Sequence, residues 1–97
     1  MKLKPVEYKV VVMPDQIAEK TDGGIILKAV QTTLKERMSQ TEGLLISVGD
    51  RAFEDFHQKP QVGQRIKFSM YSGLEYVEDD KTYRIINDKE VIGIIGD

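Results

Sequence analysis

The stretch Arg65-Ile66-Lys67-Phe68-Ser69-Met70 alternates apolar and polar residues without a break. That is the period-two pattern of a half-buried strand. It places Ile66, Phe68 and Met70 on a core face and Arg65, Lys67 and Ser69 on a wet one. Upstream, Pro60-Gln61-Val62-Gly63-Gln64 has the composition of a turn that delivers the chain into such a strand. Further back, Leu44-Leu45-Ile46-Ser47-Val48 reads as a buried strand closed by Gly49-Asp50, and Tyr8-Lys9-Val10-Val11-Val12-Met13 as a β-branched strand stopped by Pro14. Downstream, the polar Glu78-Asp79-Asp80-Lys81 separates Leu74–Val77 from Thr82–Ile86 and predicts a hairpin. Glu90-Val91-Ile92-Gly93-Ile94-Ile95 is apolar in both alternation phases, so a last strand here has no evident solvent face. Short strands joined by turn chemistry make the chain all-β.

Two segments break this rhythm. Residues 51–59 place Phe53 and Phe56 three apart with no glycine between them, which favours a short helical turn over a hairpin. Residues 15–43 show no alternation and are longer than a compact domain normally spends on a structureless connection, so they either carry function or conceal an element. Leu27, Val30, Leu34 and Met38 have helical spacing, which predicts a helix somewhere within 28–39. Within the same segment Thr21-Asp22-Gly23-Gly24-Ile25-Ile26-Leu27 runs from two glycines into three large aliphatics. Glycine pairs free the backbone, and each aliphatic left in water forgoes roughly 1.5–3 kcal/mol. The triplet is either the start of a buried strand or a contact waiting for a partner. The flanking Glu19, Lys20, Asp22 and Lys28 favour the second.

At 97 residues the chain is expected to form one domain, 1–97, with a modest core that oligomerisation would help. Fourteen Lys and Arg against 16 Asp and Glu give a net charge of −2, which supplies no pull toward nucleic acid or anionic lipid. The absence of cysteine removes disulfides, thiolate metal sites and thiol nucleophiles, and fits a cytoplasmic setting. No apolar run approaches the ~20 residues of a membrane span. His57, the sole histidine, has no His or Cys neighbour in sequence and reads as surface. Glu75, Glu78, Asp79 and Asp80 lack the spaced ligands and glycine of a calcium loop and read as a solvated turn. Tyr71, Tyr76 and Tyr83 lack the basic groove that accompanies a nucleic-acid stacking platform. No catalytic or metal-binding set stands out.

Taken in order, the pieces resemble the GroES-type co-chaperonin family, the lids of the double-ring chaperonins. Lys4-Pro5-Val6-Glu7-Tyr8-Lys9-Val10-Val11-Val12 resembles the family's opening strand, and Gly23-Gly24-Ile25-Ile26-Leu27 the tip of its mobile loop. Gly43 to Gly49 resembles the strand after that loop, Val62-Gly63-Gln64-Arg65-Ile66-Lys67-Phe68 the "VGD.V.F" strand, and Glu90–Ile95 the closing "DILAI" strand. The resemblance implies a GroES-like β-barrel with a long mobile loop (15–43) and a reduced roof segment (50–61), assembling into a sevenfold ring or dome. It implies that Ile25, Ile26 and Leu27 dock on the apical domains of a GroEL-type chaperonin, with Gly23 and Gly24 letting the backbone turn. The expected function is nucleotide-dependent capping of the folding chamber, with ATP bound by the chaperonin and no cofactor or enzymatic activity in this chain.

Strand pairing around the ring places subunit contacts on Val10 and Val12 of the first strand and on Val91, Ile92, Ile94 and Ile95 of the last. A longer loop, a shorter roof and Tyr8 in place of an acidic residue depart from the common bacterial form. The first two resemble the co-chaperonins of bacterial viruses, which serve a large capsid protein in the infected host's cytoplasm. Two rival readings come from other classes. An OB- or SH3-like barrel binding nucleic acid or peptide predicts a basic patch that is missing here, and a fragment of a medium-chain dehydrogenase would need zinc ligands and a dinucleotide domain.

Overall fold

Val10, Val11 and Val12 are completely closed off from solvent, as expected of consecutive β-branched residues in a strand covered on both faces. In the computed structural model, which describes residues 2–15 and 38–96, they lie on β1 (Lys9–Pro14), the third strand of a six-stranded sheet. The others are β2 (Glu42–Val48), β3 (Arg65–Phe68), β4 (Leu74–Glu78), β5 (Lys81–Asn87) and β6 (Val91–Ile95). Their order is β4-β5-β1-β2-β3-β6, and each neighbouring pair is antiparallel. A single 3₁₀ turn, Asp88–Glu90, links β5 to β6.

Side chains from nearly the full width of the sheet meet in one cluster: Val10, Val12, Leu45, Ile66, Phe68, Ile86 and Val91, joined by Phe53. A flat sheet could not bring Ile86 of β5 and Val91 of β6 into the same core, so the sheet coils into a barrel. Register shifts at Val11/Val12 and Lys67/Phe68 supply local bending and extra twist, which is what bulges do.

The predicted hairpin is present. Asp79 and Asp80 both adopt left-handed backbone, φ 52° and 63°, the arrangement of a two-residue type I′ turn whose twist matches the flanking strands. Left-handed backbone strains L-residues other than glycine and, to a lesser degree, Asn and Asp. Asp79→Asn combined with Asp80→Gly is therefore expected to raise stability by about 0.5–1 kcal/mol, read as a higher urea midpoint. An unchanged or lower midpoint would mean that the aspartates contribute more than their backbone strain costs. Gly73, at φ +76°, is the opposite case, because an added Cβ would lie 2.1 Å from the Ile85 carbonyl oxygen and 2.6 Å from Ile86 Cγ2. Gly73→Ala is expected to lower stability by more than about 1 kcal/mol, checked by the same titration.

Two sequence expectations are corrected. Met70 does not join Ile66 and Phe68 inside; it is 52% exposed. β3 stops at Phe68, whose N–H donates to the Thr41 carbonyl, and the chain turns away, with Tyr71 in left-handed backbone. Residues 51–59 form no helical turn of their own but a run of i+3 turns, Ala52 N–H to Gly49 O, Glu54 to Arg51 and Phe56 to Phe53, broken by φ +64° at Phe53. The Asp88 carboxylate accepts the Phe53 N–H at 3.0 Å. The Phe53 ring sits in the core and meets Phe56 edge-on with centroids 5.0 Å apart. This part of the 50–61 segment folds inward, with Phe53 in the core and Ala52 and Phe56 packed against it.

Candidate functional site

The segment carrying the Gly-Gly-Ile-Ile-Leu motif leaves the sheet at Asp15 and re-enters it through Met38–Thr41. Its two roots lie side by side. Pro14 is opposite Gly43 in the β1–β2 ladder, and the Asp15 N–H donates to the Glu42 carbonyl at 2.9 Å. The strands approach so closely that a Cβ on Gly43 would stand 2.3 Å from the Met13 carbonyl oxygen.

Arg65 on β3 grips both roots. Its Nη1 and Nη2 donate to Asp15 Oδ1 and Oδ2 at 3.0 and 2.7 Å, and Nη2 also reaches Glu42 Oε1 at 3.2 Å. Lys67 Nζ lies 3.7 Å from Glu42 Oε2. β3 pairs with β2 in a register that places Leu44 opposite Arg65 and Glu42 opposite Lys67, so the alternation read from sequence puts both cations on the outer face, over the acidic roots. Hydrogen bonding and charge from Asp15, reinforced by Glu42, push the guanidinium's pKa up.

The returning root is held by three donors. The Phe68 and Tyr71 N–H groups bind the carbonyls of Thr41 and Met38, each at 2.8 Å, and Arg84 Nη1 binds the Gln40 carbonyl at 2.7 Å. Arg84 is 1% exposed. Its Nε donates to the Ser72 carbonyl at 2.9 Å, and Nη2 to the Ser69 carbonyl and Ser72 Oγ, both at 3.1 Å. Its Cζ lies 4.9 Å from the Phe68 ring centroid, within cation–π range. Burial pushes the Arg84 pKa down, countered by the charge of Glu75, its neighbour across the β4–β5 ladder.

Arg84 was not singled out in the sequence, although a signal was present. It shares an alternation phase with Ile86, and a charge in the inward phase of a strand marks a buried network.

Gly23, Gly24, Ile25, Ile26 and Leu27 lie outside the described residues, as does nearly all of the helix expected within 28–39. The subunit-contact set divides. Val10 and Val12 have no exposed surface, and Val91 is 6% exposed. These three are corrected to core, because their side chains complete the protomer's own cluster and β1 is already paired on both edges. Ile92 and Ile95 are 62% and 37% exposed and Ile94 is half-buried. β6 pairs with β3 alone among the described strands, which leaves it an edge.

Of the acidic turn, the Glu78 carboxylate accepts from the Lys2 N–H and the Tyr76 hydroxyl, both at 2.9 Å. The Lys2 bond, helped by Tyr76, holds its pKa below the ordinary range. Among the described residues no group of His, Cys, Asp and Glu is arranged to hold a metal ion, and no helix is long and apolar enough to cross a membrane.

The family model described as "Chaperonin 10 Kd subunit" matches residues 2–95. Proteins named "Co-chaperonin GroES" are similar over nearly their whole length. That of Phocaeicola vulgatus is 33% identical over 96 residues, covering 99% of this chain and 100% of the relative. That of Geobacillus thermodenitrificans is 35% identical over 98 residues, covering 97% and 99%. That of Anoxybacillus flavithermus is 36% identical over 98 residues, again covering 97% and 99%.

Proposed function

The chain belongs to the chaperonin 10 kDa, or GroES-type co-chaperonin, family, and we propose that it caps its chaperonin through Ile25, Ile26 and Leu27 at the tip of a loop hung from Asp15 and Glu42. It is a co-chaperonin and not an enzyme; it oligomerises and partners a GroEL-type chaperonin. The rival barrel that binds nucleic acid or peptide is not favoured, because the family match runs through every strand.

The observation that carries the proposal is the closed pair of roots. With Asp15 and Glu42 hydrogen-bonded to each other, the segment between them starts and ends at one place on the sheet, and in the sequence the aliphatic triplet falls near the middle of that span. Among the described residues the core cluster draws on β1, β2, β3, β5, β6 and Phe53. Ordering a loop costs ~1–2 kcal/mol per residue, and burying the triplet returns perhaps ~5–8 kcal/mol gross. One loop therefore binds weakly, while linked loops on a ring bind tightly. Such a lid seals when the chaperonin presents its groove and leaves when the groove is withdrawn.

In the same proposal the ring is sevenfold and closes in part through the exposed Ile92, Ile94 and Ile95 edge. Nucleotide is bound by the chaperonin alone, and the setting is cytoplasmic. A viral capsid protein is the proposed client, on the likeness of the long loop and short roof to virus-encoded members. The test is the native mass by light scattering, alone and with a bacterial chaperonin plus ATP, ADP or no nucleotide. The expected result is an assembly of about seven protomers that joins the chaperonin only with nucleotide. A monomer indifferent to the chaperonin would contradict it.

A further inference from the structure

Two arginines from different strands converge on the loop roots, and they differ in what they can do for the fold. Arg84 is buried and ties the returning root, through Gln40, to the 69–72 turn. Arg65 and Asp15 are each 42% exposed, and an ion pair so wetted adds little to stability. Its geometry is nevertheless specific. A two-pronged guanidinium–carboxylate contact fixes direction as well as distance, and the third bond, to Glu42, brings the outgoing and returning roots under one rigid fork.

We infer that Arg65 and Arg84 are positioning residues for chaperonin docking, holding the two loop roots at a fixed separation and heading so that the tip is presented at high effective concentration; this rests on the reading that the 16–37 segment docks. If the fork is lost, pairing between Asp15 and Glu42 can fray. The tether to Gly23–Leu27 then starts further back along each strand, which lowers the effective concentration of the motif at the groove. A small loss per loop compounds around a ring.

The natural chain has no cysteine, so one engineered pair gives a switchable test. Asp15→Cys with Glu42→Cys removes both carboxylates while placing thiols on neighbouring, backbone-paired residues that a disulfide can bridge. The affinity of the ring for a bacterial chaperonin with ADP is measured for the natural protein, Arg65→Gln, Arg65→Lys, the double-cysteine variant reduced and oxidised, and Ile25→Asp as control. Arg65→Gln and the reduced double-cysteine protein are expected to bind roughly tenfold more weakly, with unchanged ring mass and melting temperatures within about 5 °C. Arg65→Lys, which keeps charge but not the fork, is expected to fall with them. Oxidation is expected to restore binding to within about twofold of the natural protein.

If the root variants bind normally while Ile25→Asp does not, the positioning role is wrong and docking stands. Equal weakness of the oxidised and reduced double-cysteine proteins would also overturn it, because the carboxylates themselves would then be the contact. If Ile25→Asp binds normally, the docking reading itself fails.

Discussion

Ile25→Asp, or equally Ile26→Asp, is expected to abolish capture by the chaperonin while ring mass and melting temperature stay as they were. A carboxylate carried into an apolar groove loses its hydration without gaining a partner, at a cost of several kcal/mol. That loss alone cancels the ~5–8 kcal/mol gross that one triplet can supply, and every loop of the ring suffers it. The barrel is expected to be indifferent to the change, since among the described residues Val10, Val12, Leu45, Ile66, Phe68, Ile86, Val91 and Phe53 supply the core cluster. Co-sedimentation with chaperonin and ADP reads the binding, and differential scanning calorimetry reads the fold. A variant that fails to fold would return the triplet to the interior and remove the basis for the docking assignment.

Arg84→Met is expected to have the largest effect on stability. Methionine fills much of the same space, but it cannot donate to the carbonyls of Gln40, Ser69 and Ser72 that the guanidinium satisfies. Buried ion pairs can often be exchanged for apolar groups at no loss, since both partners are replaced together. Here the acceptors are backbone and cannot be exchanged. The Ser69 carbonyl keeps the Ser72 hydroxyl at 2.6 Å, but the Gln40 and Ser72 carbonyls each lose the guanidinium donor at a cost of about 1–3 kcal/mol, and the contact with the Phe68 ring is lost as well. Relief from burying a charge offsets part of this, leaving an expected net loss of about 3–5 kcal/mol. For a domain of this size that is a fall in melting temperature of roughly 15–30 °C. A loss below about 1 kcal/mol by urea denaturation would mean that water replaces the guanidinium, and that the site is less closed than its 1% exposure indicates.

The parts of the fold legible in the sequence were those governed by local chemistry. Tyr8–Met13 reads as a β-branched strand and Glu78–Lys81 as the polar turn of a hairpin, because β-branching and turn chemistry act over a few residues. Met70 departs from the expectation because alternation describes a strand only while the strand lasts, and β3 ends at Phe68, two residues before it. The Phe53–Phe56 spacing suggests a helical turn, yet it cannot show that the Asp88 carboxylate, far along the chain, accepts the Phe53 N–H and helps place its ring in the core. Val10 and Val12 were assigned to a subunit contact because sequence cannot tell a face that meets a neighbour from one that meets its own core. The proposed docking motif is a reading of sequence alone, five residues from Gly23 to Leu27 that lie outside the described residues. Its supports, Arg65 and Arg84, were not legible there, since each becomes meaningful only when the ladder brings Asp15, Glu42 or Gln40 beside it.

Amide hydrogen exchange at Gly23–Leu27 tests the docking assignment most directly, measured on the ring alone, with chaperonin, and with chaperonin plus ADP. Fast exchange at these amides in the first two states and strong protection only in the third is the expected result. Protection already present in the ring alone would contradict it, because the triplet would then be built into the barrel and unable to serve as the contact that seals the chamber.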